Sequence, residues 1–234
     1  MEEQEQQQFE NPSTVDLSSI FRKAYHVYRD NLPMMISLGL IYGFGSISDQ
    51  ILYQLFRLES THIAFFLNTL ITSWVSMALT YGVNELYRKR EVTVQQALLS
   101  TGKNYWQYVL VSMLYLMVVF GGLILFILPG IYLMTLYLFA DVCVVLERKT
   151  LVDAFARSSA LVKFSFRHVL IFNLIMSMLY IIPFVAIKSE WSVGRAVTTV
   201  FIVFVVPFYI AGVVALYREY VKLTNLGSSF QEAS

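Results

Sequence analysis

Charge is what this chain has least of. Only 14% of its 234 residues are Asp, Glu, Lys or Arg, and the net charge is +1, against about 25% charged residues in an ordinary soluble domain. So small a net charge gives no field to draw in a polyanion, which excludes a nucleic-acid-binding protein. One cysteine, Cys143, excludes an internal disulfide framework, and the three histidines (His26, His62, His168) are too far apart in sequence to form a metal motif. There is no glycine-rich phosphate loop and no nucleophile elbow. Neither a catalytic site nor a cofactor site is expected.

Hydrophobic residues make up 57% of the chain, gathered into long blocks separated by short basic segments. A helix needs roughly 20 mainly apolar residues to cross a hydrocarbon core about 30 Å thick. Six stretches qualify: Pro33–Phe56, Ile63–Asn84, Gln107–Ile127, Ile131–Leu146, His168–Ile187 and Ala196–Tyr217. Runs such as Val109–Ile127 are apolar on every side. A membrane barrel would alternate with period two, so the spans are helical. The expected fold is therefore an all-α bundle of six transmembrane helices filling 13–222, between an acidic, Gln-rich tail at 1–12 and a cytoplasmic tail at 223–234.

Basic residues set the orientation, because Lys and Arg stay on the cytoplasmic side. Fourteen of the 17 fall in the N-terminal region, the second and fourth loops and the C-terminal tail. Only Arg57, Lys188 and Arg195 fall on the opposite side. Both termini are expected on the cytoplasmic side of the membrane. Met1–Glu10 has no basic start leading into an apolar run, so no signal peptide is expected.

The cytoplasmic segments carry helical stripes of their own. Leu17, Ile20, Phe21, Ala24, Val27 and Tyr28 line one face opposite Arg22, Lys23, His26 and Arg29. Thr93-Val-Gln-Gln96 has the form of a capping box, and Thr150-Leu-Val-Asp153 starts a third short helix. Each precedes an odd-numbered span, which suggests three copies of one unit: amphipathic helix, span in, span out. These helices either lie in the headgroup layer, where their bases attract anionic lipid, or pack together as a cytoplasmic platform. Tyr25, Tyr28, Tyr81, Tyr87, Tyr105, Trp106, Tyr108, Tyr217 and Tyr220 fall near cytoplasmic span ends and Trp191 near an external one, as in an interfacial aromatic belt.

Leu128-Pro129-Gly130 joins the third and fourth spans without a charge. Proline followed by glycine suits a type II turn, so a tight external hairpin is expected there. Onward from Pro129-Gly130-Ile131 the chain runs through Phe139-Ala140-Asp141 to Leu146-Glu147, then Ala154-Phe155-Ala156-Arg157-Ser158-Ser159-Ala160-Leu161. That succession, strongest over 92–175, resembles a family of bacterial multi-span membrane proteins. The YciC-like proteins belong to it, as does the membrane domain fused to some glycerophosphodiester phosphodiesterases. The opening Ile20–Asn31 segment is similar to that family's N-terminal helix. The resemblance makes Pro129, Gly130, Glu147, Arg157 and Ser158 the matching positions and brings no chemistry with it. Family members carry proline or a small residue near position 141, so the acid there is peculiar to this chain. No phosphodiesterase catalytic segment is expected.

Ionisable groups at bilayer depth are costly and mark functional candidates. Asp141 falls six residues before Glu147, about 9 Å along a helix. Its expected partners are Arg148 or Arg157, or in an ion-site reading Thr135, Asn173 and Asn68. Asp49, near an external end, is expected to pair with Arg57 or Arg195, while Asn84 and Glu85 beside Arg88 and Lys89 look structural. Gly39-x-x-x-Gly43 permits close helix approach, within this bundle or against a second copy. The leading expectation is a non-enzymatic scaffold, accessory subunit or envelope-homeostasis factor, motivated by small loops and no convergent polar site. Its rivals are a small channel or transporter whose pathway passes Asp141 and Asn173, with Pro183 and Pro207 as kinks, and anionic-lipid handling through Arg157 and Lys163. A cavity reaching Asp141 favours transport; a dry interior favours the scaffold.

Overall fold

Backbone groups in hydrocarbon have no water to bond, so each long apolar segment must close its hydrogen bonds on itself, as helices do. The computed structural model describes residues 15–56, 61–102, 104–186 and 192–232, without the side chains of 45–56, 61–65, 164, 180–186, 192–198 and 225–232. Among the described residues every regular element is an α-helix. In chain order these are α1 Leu17–Asp30, α2 Leu32–Phe56, α3 Thr61–Tyr87, α4 Val94–Ser100, α5 Tyr105–Leu125, α6 Ile127–Leu136, α7 Ala140–Glu147, α8 Leu151–Phe164, α9 Phe166–Ala186 and α10 Ser192–Glu232. Among the described residues three stretches are long and apolar enough to cross a membrane: Tyr105–Leu125, Ile127–Glu147 and Thr199–Thr224. A fourth arises if Leu151–Lys163 and Phe166–Leu179, bent by 105° at their junction, count as one.

The short helices form where capping and stripes require. Asp16 caps α1, accepting a hydrogen bond from the Ser18 N–H at 2.9 Å. Thr93 and Gln96 close both bonds of a capping box ahead of α4. Thr150 sits at the N-cap of α8 but donates its hydroxyl to the Asp153 carboxylate instead of capping the backbone. The stripe of α1 is real, with Ile20 and Ala24 fully buried and Arg22, Lys23 and His26 exposed. It lies against the bundle, chiefly α10. Phe21 meets Phe172 of α9 with ring centroids 5.5 Å apart, and Lys23 donates to Glu219 at 2.9 Å. Ala97 of α4 packs against α3 at Gly82, and Ala154, Leu161 and Val162 of α8 are buried. Apolar stripes expected to meet headgroups, or one another, thus cover the ends of the long helices.

One local expectation is corrected and two are narrowed. Pro129 and Gly130 form no turn: they lie in the first turn and a half of α6, and no described glycine has positive φ. The chain reverses at Phe126, a single extended residue (φ −160°, ψ 146°) whose N–H bonds the Gly122 carbonyl. Proline fits there because the first N–H groups of a helix have no intrahelical acceptor anyway. Gly130 is needed for packing, since a Cβ on it would strike Leu123 of α5. The Gly39-x-x-x-Gly43 face is occupied inside the bundle, where Gly39 abuts the Val203 carbonyl of α10 and Gly43 the Val203 and Thr199 side chains. It is therefore not free to meet a second copy. Finally, α10 continues past the expected span end at Tyr217 to Glu232, with Pro207 inside a continuous 41-residue helix.

The aromatic belt survives only in part. Tyr25 and Trp106 are exposed, but Tyr108, Tyr217 and Tyr220 are buried inside the protein. Asp49, Arg57, His62, Pro183, Trp191, Arg195 and the tail at 1–12 have side chains outside the described residues.

Candidate functional site

The segment expected as the fourth span is two helices. α6 ends at Leu136, three residues in turn conformation follow, and α7 begins at Ala140. A broken helix in an apolar body leaves backbone groups needing partners. Ser158 of α8, fully buried, meets that need: its hydroxyl donates to the Leu136 carbonyl (3.0 Å) and accepts from the Phe139 N–H (3.1 Å). Further along, Glu147 at the end of α7 accepts from Arg157 Nε (3.2 Å) and from the Tyr217 hydroxyl of α10 (2.5 Å). Glu147, Arg157 and Ser158 are thus brought together as a clasp holding the broken span.

That clasp corrects the expected pairing of Asp141. Arg157 is engaged by Glu147, and Arg148 caps α7 in the left-handed conformation (φ 55°). Asp141 instead accepts from Ser112 Oγ of α5 at 2.9 Å. It lies in the first turn of α7, where the helix dipole favours an anion.

Asp141 also faces a cavity of about 400 Å³ between the two main apolar clusters of the bundle. Ligand-binding cavities span about 300–1,000 Å³. Five tyrosines from four regions line it: Tyr42 of α2, Tyr108 and Tyr115 of α5, Tyr137 in the break and Tyr209 of α10. Ser76 and Thr80 of α3 and Asn173 and Ser177 of α9 add polar groups, while Met134, Met176 and several valines complete the wall. Ser112, which bonds Asp141, lies on the same helix as Tyr108 and Tyr115, so α5 contributes both the partner of the acid and two of the phenols. Among the described residues, Asp141 is the only Asp, Glu, Lys, Arg or His in the lining.

Asn173, 2% exposed, has a buried Nδ2 without a hydrogen-bond partner. Leaving such a donor unmet costs about 1–3 kcal/mol. It lines the same cavity as Asp141, as the transport reading expected. Thr135 and Asn68 do not: Thr135 bonds back to the Ile131 carbonyl, and neither is in the lining. Ser112 and the tyrosines were missed at the sequence level. Tyr108, Ser112 and Tyr115 recur at helical spacing on an otherwise apolar span, a signal for one polar face that could have been read.

Where α3 ends, buried Glu85 holds Arg88 (3.2 Å) and Arg90 (3.1 Å), not Lys89, and Arg218 donates to Asn84 at 2.9 Å. These contacts tie α3 to α10. Among the described residues no three His, Cys, Asp or Glu side chains converge to hold a metal ion.

Comparison with protein-family models, with curated proteins and with solved structures finds no match.

Proposed function

We propose that this chain is a six-span protein of the bacterial inner membrane, with both termini cytoplasmic, that holds a small solute inside its bundle and performs no chemistry on it. The observation that carries this reading is the polar cavity at a broken membrane helix, walled by Asp141 and by an Asn173 amide with no partner. Discontinuous spans with inward polar groups are the usual construction of solute sites in transporters. A scaffold needs neither feature, and the convergent polar site whose absence motivated that expectation is present.

Six crossings follow from the same six apolar blocks and the fourteen-to-three division of basic residues. The order of helices (α1, α2, α3; α4, α5, α6 with α7; α8, α9, α10) accords with three units of one design. The YciC-like resemblance supports the same placement, with Ser158, Glu147 and Arg157 as architectural positions. Anionic lipid at the basic cytoplasmic end is a secondary association.

The test is water access. With Cys143 changed to Ser, a cysteine replacing Ser177 on the cavity wall is exposed to a small charged thiol reagent in intact membranes. It should be modified, while a cysteine replacing lipid-facing Met117 (71% exposed) should not. Protection of both positions would return the scaffold reading.

A further inference from the structure

From the chemistry of that cavity we infer that its solute is an organic monocation bearing a hydrogen-bond acceptor. This rests on the cavity being the solute site and goes further by naming the class. Three observations converge. Among the described residues the lining has one carboxylate, Asp141, and no base to neutralise it, and a charge withdrawn from water needs a counter-charge. A bound monocation supplies it. Five tyrosines line the same space, and aromatic rings are the general means of holding an ammonium group whose charge is spread over carbon. A multivalent metal ion would be served poorly: such ions favour several carboxylate oxygens, and the described lining offers one acid with phenols, three hydroxyls and one amide. An anion would face Asp141 directly. The acceptor follows from Asn173, a lining residue whose buried Nδ2 has a proton to give and no partner among the described residues. The methionine and valine walls accommodate the apolar body between the charged and accepting ends.

Acetylcholine is a suitable probe, with a quaternary nitrogen at one end and an ester carbonyl at the other. 3,3-Dimethylbutyl acetate has the same shape with carbon in place of nitrogen. Calorimetry on the full-length protein in lipid nanodiscs should show acetylcholine binding at least tenfold more tightly than the neutral ester. Asp141→Asn keeps an oxygen for Ser112 to bond, so it should melt near the wild-type temperature yet bring the two affinities within about twofold. Asn173→Leu should weaken both esters about fivefold and leave tetramethylammonium unchanged.

The comparison on the wild-type protein involves no variant, so a misfolded mutant cannot obscure it. Equal binding of cation and neutral ester, or a preference for the cation that persists in Asp141→Asn, overturns the inference. Labelling of the Ser177→Cys protein without binding of either ester also overturns it, while leaving the cavity a wet solute site.

Discussion

A single hydroxyl group holds the broken span together. Ser158 serves a carbonyl and an N–H at once, so Ser158→Ala leaves two buried backbone groups unmet, at about 1–3 kcal/mol each. Its neighbour Ser159 bonds only the Ala156 carbonyl at an exposed position, and Ser159→Ala should cost within about 0.5 kcal/mol. Thermal melts of the two variants in one detergent should separate clearly, and equal melting temperatures would refute the assigned role. Asp16 offers a test by pH. The Ser18 hydroxyl bond, foremost, holds its carboxyl below the ordinary carboxylate value. The cap therefore contributes fully above the unfolded value of about 3.9 and fades only as pH falls through the lower folded one. Protease cleavage within α1 should be unchanged from pH 7 to pH 5 and rise below about pH 4. Asp16→Ala, which loses about 1 kcal/mol of capping, should show the higher cleavage at every pH.

The local elements were legible where the signal was local. The stripe of α1, the capping box of α4 and the bounds of α5 follow from spacing and from side chains within four residues of one another. Pro129-Gly130 misled because the same pair suits both a turn and a helix start, and the choice lies in packing: Gly130 admits Leu123. Asp141 was assigned a basic partner nearby in sequence, while its real one, Ser112, lies 29 residues away on α5. Close approach of α2 to α10 yields a prediction of opposite signs. Gly39→Ala puts a methyl group on the Val203 carbonyl and should destabilise by about 1–3 kcal/mol. Gly121→Ala meets nothing within 4 Å in the exposed part of α5, and helix propensity alone should stabilise it by up to about 1 kcal/mol. Denaturation in mixed micelles checks both, and matching signs would refute the packing account.

For the whole molecule, the sequence pattern reaches the membrane and stops short of the cavity. Apolar length and basic asymmetry are sums over many residues and tolerate local errors. A cavity is a difference, the space seven helices leave between them, and Tyr108 looked like a boundary residue because it was judged on its own helix. The proposed topology makes its own prediction: a cytoplasm-dependent reporter fused after Ser234 should be active, and one inserted at 59 or 189 inactive. The reverse pattern would invert every assignment of inside and outside.

The reversal at Phe126 has a consequence for where this protein can live. Ile124, Leu125, Phe126, Ile127 and Leu128 are each 70–84% exposed, so the tip of the hairpin is a greasy knob with no charged group to moor it at the far surface. α5 measures about 31 Å from Tyr105 to that knob, close to the thickness of the oily layer. In a membrane of shorter acyl tails the knob would emerge into water, whereas longer tails would bury it without penalty. In the proposed topology lipid chain length becomes a condition of this fold, and a cell that trims its fatty acids in the cold would strain the hairpin.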